Sequence, residues 1–215
     1  MIPLLVFLGI RSTAGQALPK FMGRDITINK PETTDDGFPK GPASVCVEGP
    51  PQRQCYTAPK EHGLSPTVTV VQLEKGAAAI LFSASSGGVS GWGIHFALLR
   101  RGTGKDLENL FFGPVSVSNQ SQYTFLKDSA ISDAPIFIVA DGVGGPDEGP
   151  HSEHRFIISA YSRRFPPVSY DSSYYLADQY MTIRKYDSEA NVDIIGSEKE
   201  EILARLRRVK ALRPN

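Results

Sequence analysis

The chain has 215 residues, of which 40% are hydrophobic and 21% are charged, and its 23 Lys plus Arg are balanced by 23 Asp plus Glu. This is the composition of an ordinary globular protein. The zero net charge argues against a dedicated nucleic-acid-binding protein, which usually carries a basic excess or stripe. The 20 Gly and 16 Pro favour turns and short strands over long helices.

The first 17 residues have the pattern of an export signal. Residues 2–10 are apolar, and the small residues Gly15 and Ala17 that follow place a cleavage site after Ala17. No Lys or Arg precedes the apolar run, and a buried N-terminal strand is the alternative interpretation. The run is too short to cross a membrane, which takes about twenty apolar residues. The sequence therefore predicts an exported protein, periplasmic or extracellular, without a membrane span in the mature chain.

The two cysteines, Cys46 and Cys55, lie on either side of a Gly49-Pro50-Pro51 turn signal. A turn between them brings the two Cα atoms within disulfide range. Two free buried thiols or a metal pair are the alternatives, but the spacing is not the usual one of a zinc site. The pattern predicts a disulfide within one hairpin, in keeping with export.

Residues 18–44 contain four prolines and are predicted to form a loop-rich arm, in which Ile26 and Ile28 alternate with polar neighbours and can pair as a strand. Beyond the arm, β-branched and alternating runs separated by turn signals predict a series of strands. These lie at residues 67–73, 77–84, 92–99, 107–112, 122–126, 135–140, 155–161 and 174–186. We therefore expect one mainly β domain over residues 45–215, built as a sandwich, a barrel or a strongly curved antiparallel sheet.

The C-terminal region predicts one α-helix. Ser197 and Glu200 have the spacing of a capping box. Ile202, Leu203, Leu206 and Val209 follow at helical spacing, so the helix is expected at about residues 197–210. Its apolar stripe is expected to pack on the sheet. A helix that docks on a partner or binds nucleic acid is the alternative.

The segment 141–154 is the first candidate for chemistry because it gathers carboxylates and imidazoles between two predicted strands. The candidate ligands or catalytic groups are Asp141, Asp147, Glu148, His151, Glu153 and His154. Carboxylates suit calcium and a His pair suits zinc, but the carboxylates are not ordered as in an EF-hand loop. The two His also lack the helical H-E-x-x-H arrangement. We expect no metal and no cofactor at this segment.

His95 and Trp92 are weaker candidates. His95 lies between Ile94 and Phe96 in a predicted strand, so a buried, hydrogen-bonded imidazole is favoured over a general base. Trp92 follows a Ser- and Gly-rich break that completes neither a nucleophile elbow nor a phosphate loop. It is expected to be a core or rim aromatic, and a ligand-binding residue is the alternative.

Three tyrosines of the last predicted strand, Tyr174, Tyr180 and Tyr186, share one strand parity. Exposed tyrosines on a sheet can stack on sugars or bind a protein, and core packing is the alternative.

No catalytic pattern in the sequence is complete. The sequence therefore favours an exported, non-catalytic β domain with a binding or structural role, whose partner is a protein or a cell-envelope component. A hydrolase or metal-dependent enzyme with its site at Asp141–His154 is the alternative.

Overall fold

A computed structural model of the chain describes residues 18–74, 76–87, 93–111, 113–118, 121–143, 153–163, 175–185 and 193–212. Within these residues the backbone forms twelve strands and one helix. The strands are β1 (Ile26–Asn29), β2 (Ser44–Val47), β3 (Gln54–Thr57), β4 (His62–Glu74), β5 (Ala77–Ser86), β6 (Gly93–Arg101), β7 (Leu107–Asn109), β8 (Val115–Ser118), β9 (Gln122–Leu126), β10 (Ile136–Val143), β11 (Glu153–Arg163) and β12 (Tyr175–Lys185), and the helix is α1 (Ile194–Leu212). The fold is mainly β with one C-terminal helix, as the sequence predicts.

The strands of the described residues form three antiparallel sheets. The outer sheet has the order β1-β2-β3, and the central sheet has the order β4-β5-β6-β7. β8 also pairs with β6, next to β7 along the same strand. The third sheet has the order β12-β11-β10-β9. The second half of this architecture is thus a set of consecutive hairpins, which explains the regular spacing of turn signals in the sequence.

The three sheets are stacked face to face, with the central sheet buried on both sides. One face of β5 and β6 packs against the outer sheet, through Ile80, Phe82, Ala97, Leu99, Val45 and Val47. The opposite face packs against the third sheet, through Leu81, Phe96, Leu98, Phe137 and Val139. A strand that is covered on both faces has a continuous run of apolar residues in its sequence. β5 and β6 have this pattern.

Helix α1 covers the far side of the third sheet. Its predicted apolar stripe is buried there: Ile202, Leu203 and Leu206 are 1%, 6% and 5% exposed. They pack with Ile136 and Ile138 of β10. The alternative of an exposed stripe that docks on a partner is therefore wrong. No helix of the described residues is long and apolar enough to span a membrane.

The helix begins three residues before the predicted capping box. The Asp193 Oδ1 atom accepts a hydrogen bond from the Gly196 backbone N–H at 2.8 Å, which makes Asp193 the N-cap. Ser197 lies inside the first turn, where its hydroxyl donates to the Ile194 carbonyl at 2.9 Å. The earlier start buries Ile194 and Ile195, and this burial outweighs the local capping preference of Ser197.

The N-terminal arm contributes a strand to the fold. β1 pairs with β2 so that Ile26 lies opposite Val47 and Ile28 opposite Val45. The alternation of Ile26 and Ile28 with polar residues thus predicts this strand correctly. β8 was not predicted, because a strand of four residues in which Val and Ser alternate gives a short and weak signal.

Candidate functional site

The predicted disulfide is present and lies within one hairpin. Cys46 of β2 and Cys55 of β3 are directly opposite each other, with their Cα atoms 4.1 Å apart. Neither cysteine is free, so the alternatives of free thiols and a metal pair are wrong. The disulfide closes the base of the segment between the two strands, residues 48–53, which we call the 48–53 turn. Its residues 49–53 are exposed.

Gln54, at the end of this turn, ties the hairpin to the central sheet. Its side chain is 1% exposed. Its Nε2 atom donates to the carbonyl oxygen of Gly102 at 2.8 Å and to that of Gly104, and its Oε1 atom accepts from Arg101 Nε at 2.9 Å. Every polar atom of this buried amide is therefore used in joining β3 to the end of β6 and the segment after it.

Arg101, the last residue of β6, holds the turn itself. Its Nη1 atom donates to the Pro50 carbonyl at 3.1 Å, and its Nη2 atom donates to the Gln52 carbonyl at 2.8 Å. Together with the bond to Gln54, three acceptors fix the plane of this guanidinium. The exposed backbone of the turn is thereby held in one position.

Arg24 reaches the same turn from the N-terminal arm. It closes a tight turn with Phe21, whose buried ring anchors the segment; the two residues exchange backbone hydrogen bonds of 2.9 and 3.0 Å. Arg24 Nη1 donates to the Pro50 carbonyl oxygen, which is also an acceptor for Arg101. We call Arg24 and Arg101 the arginine pair.

Gly49 makes room for Arg24. Its φ is +99°, a conformation that favours glycine, and a Cβ atom at this position would lie 2.8 Å from Arg24 Nη1. The glycine of the Gly49-Pro50-Pro51 signal therefore serves both the turn and the approach of the guanidinium.

A second group of polar side chains lies between the outer and central sheets. Tyr56 of β3, His62 of β4 and His95 of β6 form what we call the His62–His95 cluster. Tyr56 Oη and His95 Nε2 are hydrogen-bonded at 2.8 Å, and the centroids of the two imidazole rings are 5.5 Å apart. The two histidines are 6% and 3% exposed.

Burial controls the charge of this cluster. It lowers the pKa of His95 to about 4, with a smaller contribution from His62 in the same direction, while Glu61 acts in the opposite direction. Burial also lowers the pKa of His62, again partly offset by Glu61, and raises the pKa of Tyr56. His95 is therefore neutral at neutral pH.

One nitrogen of each histidine is not hydrogen-bonded. Among the described residues, Nδ1 of His62 and Nδ1 of His95 have no hydrogen-bond partner. Glu61 Oε1 lies 3.3 Å from His62 Nδ1, within ion-pair distance. That contact does not have hydrogen-bond geometry, and the Glu61 side chain is 64% exposed, so solvent weakens its effect. Each ring thus buries one nitrogen that no described residue satisfies by a hydrogen bond.

The candidate metal ligands of segment 141–154 are only partly described. Asp141 lies in β10, where its Oδ1 atom accepts from the Ser118 backbone N–H and from the Ser121 hydroxyl, both at 2.8 Å. Glu153 and His154 begin β11, which is described there through its backbone. Asp147, Glu148 and His151 lie outside the described residues.

Among the described parts of the chain, no group of three or more His, Cys, Asp or Glu is arranged to hold a metal ion. The absence of a metal from segment 141–154 stays a prediction, because three of its candidate ligands lie outside the described residues.

Most of the predicted aromatic binding residues lie outside the described residues as well. Tyr180 lies in β12 opposite Ile158 of β11, where the backbone of β12 is described. Trp92, Tyr174 and Tyr186 lie outside the described residues, as does the export-like segment 1–17. The proposed aromatic face and the cleavage site stay predictions.

The arginine pair and the partners of His95 were missed in the sequence. Tyr56 and His62 come near His95 only because two sheets stack. Arg24 and Arg101 come together only because both contact the 48–53 turn. The one available signal was Gly49-Pro50-Pro51, which marks the turn but not what contacts it.

No protein-family model, curated protein or solved structure matches this chain.

Proposed function

We propose that this chain is an exported, non-catalytic β domain that binds a partner through the 48–53 turn. The observation that carries this proposal is an exposed turn held rigid from several sides. A disulfide closes its base, and Arg24 and Arg101 hold its Pro50 carbonyl. A loop fixed in this way loses little conformational entropy on binding, and binding residues are commonly placed on loops of a rigid scaffold.

The export part of the proposal rests on two features. The apolar run at residues 2–10 followed by small residues has the form of a signal segment, and a structural disulfide is typical of oxidising compartments. The partner is then a protein or a component of the cell envelope.

Enzymatic activity at segment 141–154 gains no support from Asp141. Its Oδ1 atom accepts hydrogen bonds from Ser118 and Ser121, which join the third sheet to the end of β8. This arrangement supports a structural role for the Asp141 carboxylate.

Co-sedimentation of the oxidised protein with envelope material from its producing cells tests the proposal. The turn variant Gln52→Ala/Arg53→Ala replaces an exposed amide and a cation on the turn. The control Asn29→Ala/Lys30→Ala replaces the same two chemical groups at the opposite end of the outer sheet, where Asn29 pairs with Ser44.

We expect the wild type and the control to sediment with the envelope material and the turn variant to stay in solution. A wild type that stays in solution, or an equal loss in both variants, contradicts the proposal. Melting curves of all three proteins show whether the hairpin is intact.

A further inference from the structure

We infer that the 48–53 turn binds an oxyanion, a phosphate or carboxylate group, between Arg24 and Arg101. The inference rests on the proposed function and names the chemistry of the ligand.

The arginine pair brings two positive charges to the turn. Both guanidinium groups donate to one neutral carbonyl oxygen, that of Pro50, which brings two positive charges together without neutralising either. Like charges at such short range repel each other. A bound anion between them removes this repulsion and makes charge-assisted hydrogen bonds to both.

Three carboxylates near the turn are paired with other cations, whereas Asp106, which bridges Cys55, is exposed. Glu48 pairs with Arg53 at 3.0 Å, and Asp25 pairs with Lys20 at 3.2 Å. Glu108 pairs with Arg100 at 2.7 Å. Within the described part of the chain, neither member of the arginine pair lies within ion-pair distance of a carboxylate.

The arginine pair has more N–H donors than the turn uses. A guanidinium has five N–H groups. Arg101 uses one each on Gln54, Pro50 and Gln52, and Arg24 uses one on Pro50. Within the described part of the chain, the other N–H groups of the pair make no hydrogen bond. The guanidinium fork matches the oxygens of phosphate and carboxylate.

Gly49 leaves room for Arg24 beside the turn. Any side chain at Gly49 would begin with a Cβ atom 2.8 Å from Arg24 Nη1. Arg101 is held by three acceptors before any ligand binds, so the site is preorganised.

Side-chain NMR of the oxidised full chain tests the inference directly. The Nε–Hε signals of the arginines are followed while inorganic phosphate or sodium acetate is added, with sodium chloride as the ionic-strength control. We expect saturable shifts of Arg24 and Arg101 with phosphate, acetate or both, and none of Arg205, which is paired with Glu201 on α1. Saturation by phosphate alone or by acetate alone identifies which group the partner presents.

The variant Arg24→Gln removes one charge of the pair and leaves a shorter, neutral polar side chain in its place. We expect it to weaken anion binding by about tenfold or more, because one of the two charged donors is lost. The control Lys30→Gln makes the same charge change away from the turn and is expected to leave anion binding unchanged. Because Arg24→Gln leaves the three bonds of Arg101 in place, the hairpin stays folded.

The inference is overturned if neither anion gives saturable shifts, if chloride gives the same shifts, or if Arg24→Gln binds as the wild type does. If neither anion gives saturable shifts but envelope binding still depends on Gln52 and Arg53, the proposed function stands and only the oxyanion site is rejected. If the wild type does not bind envelope material, the proposed function itself is rejected.

Discussion

Tyr56 Oη lies 2.8 Å from His95 Nε2, and this hydrogen bond joins the outer sheet to the central sheet. The second nitrogen of His95 has no hydrogen-bond partner among the described residues, and burial keeps the ring neutral. The connection between the two sheets therefore depends on an imidazole that resists protonation.

We predict that the fold loses stability in mild acid. The pKa of His95 is lowered to about 4, while an unfolded histidine has a pKa of about 6.5. Between these values the unfolded chain binds more protons, so the free energy of unfolding falls as the pH falls and is fully retained above the unfolded pKa. His62 acts in the same direction, and Glu61 partly offsets both.

From about pH 7 to about pH 5, His95 alone should cost about 2 kcal/mol. Urea unfolding at several pH values measures this loss. The variant His95→Gln keeps a group that can hydrogen-bond to Tyr56 but does not titrate. Its free energy of unfolding should therefore fall by about 2 kcal/mol less than that of the wild type over the same pH range. Parallel pH profiles of wild type and variant would contradict the assignment.

We predict that Tyr56→Phe destabilises the protein by about 1–2 kcal/mol, because it leaves His95 Nε2 buried without a partner. The ring contacts of Tyr56 with Phe82 and His95 are preserved in this variant. Tyr123→Phe is the control, since Tyr123 is 42% exposed and its hydroxyl can be replaced at little cost. Equal melting temperatures for the two variants would show that the Tyr56–His95 bond contributes nothing.

We predict that Gly63→Ala destabilises the fold by about 1–3 kcal/mol through overpacking. A Cβ atom on Gly63 would overlap the carbonyl oxygen of Gly41 and the Cβ of Pro39, which hold the N-terminal arm against β4. At Gly104 a Cβ would meet nothing within 4 Å, so Gly104→Ala is the matched control. Thermal unfolding compares the two; a neutral Gly63→Ala would mean that the arm does not pack as described.

We predict that Cys46→Ser/Cys55→Ser lowers the melting temperature by a few degrees and leaves the far-UV spectrum unchanged. The crosslink closes one short hairpin, so its loss costs no more than about 2–3 kcal/mol. Gln54 and Arg101 still hold that hairpin to the central sheet. Thiol titration of the denatured, unreduced wild type should find no free thiol, and collapse of the double variant would show that the disulfide is not local.

The sequence predicts the strands well where burial follows a simple pattern. The continuous apolar runs at 77–84 and 92–99 correspond to β5 and β6, which are covered on both faces. The predicted helix start is three residues late because Ser197 and Glu200 have the spacing of a cap, whereas burial of Ile194 and Ile195 moves the cap to Asp193.

The contacts of the candidate site could not be predicted in the same way. Tyr56 and His95 meet because two sheets stack, and Arg24 and Arg101 meet because two distant segments contact one turn. Local patterns determine which face of a strand is buried, but not which strand of another sheet lies opposite. Cys46 and Cys55 were the exception, since both lie in one hairpin.

The most direct test of the account is the salt dependence of envelope binding by the wild type and by Arg24→Gln. Exposed charges are screened by salt, so binding through the arginine pair should weaken steadily as sodium chloride is raised. At low salt Arg24→Gln should bind about tenfold more weakly than the wild type and respond less to salt. Binding that is insensitive to salt and equal in the two proteins would contradict the claim that the 48–53 turn recognises an anionic partner.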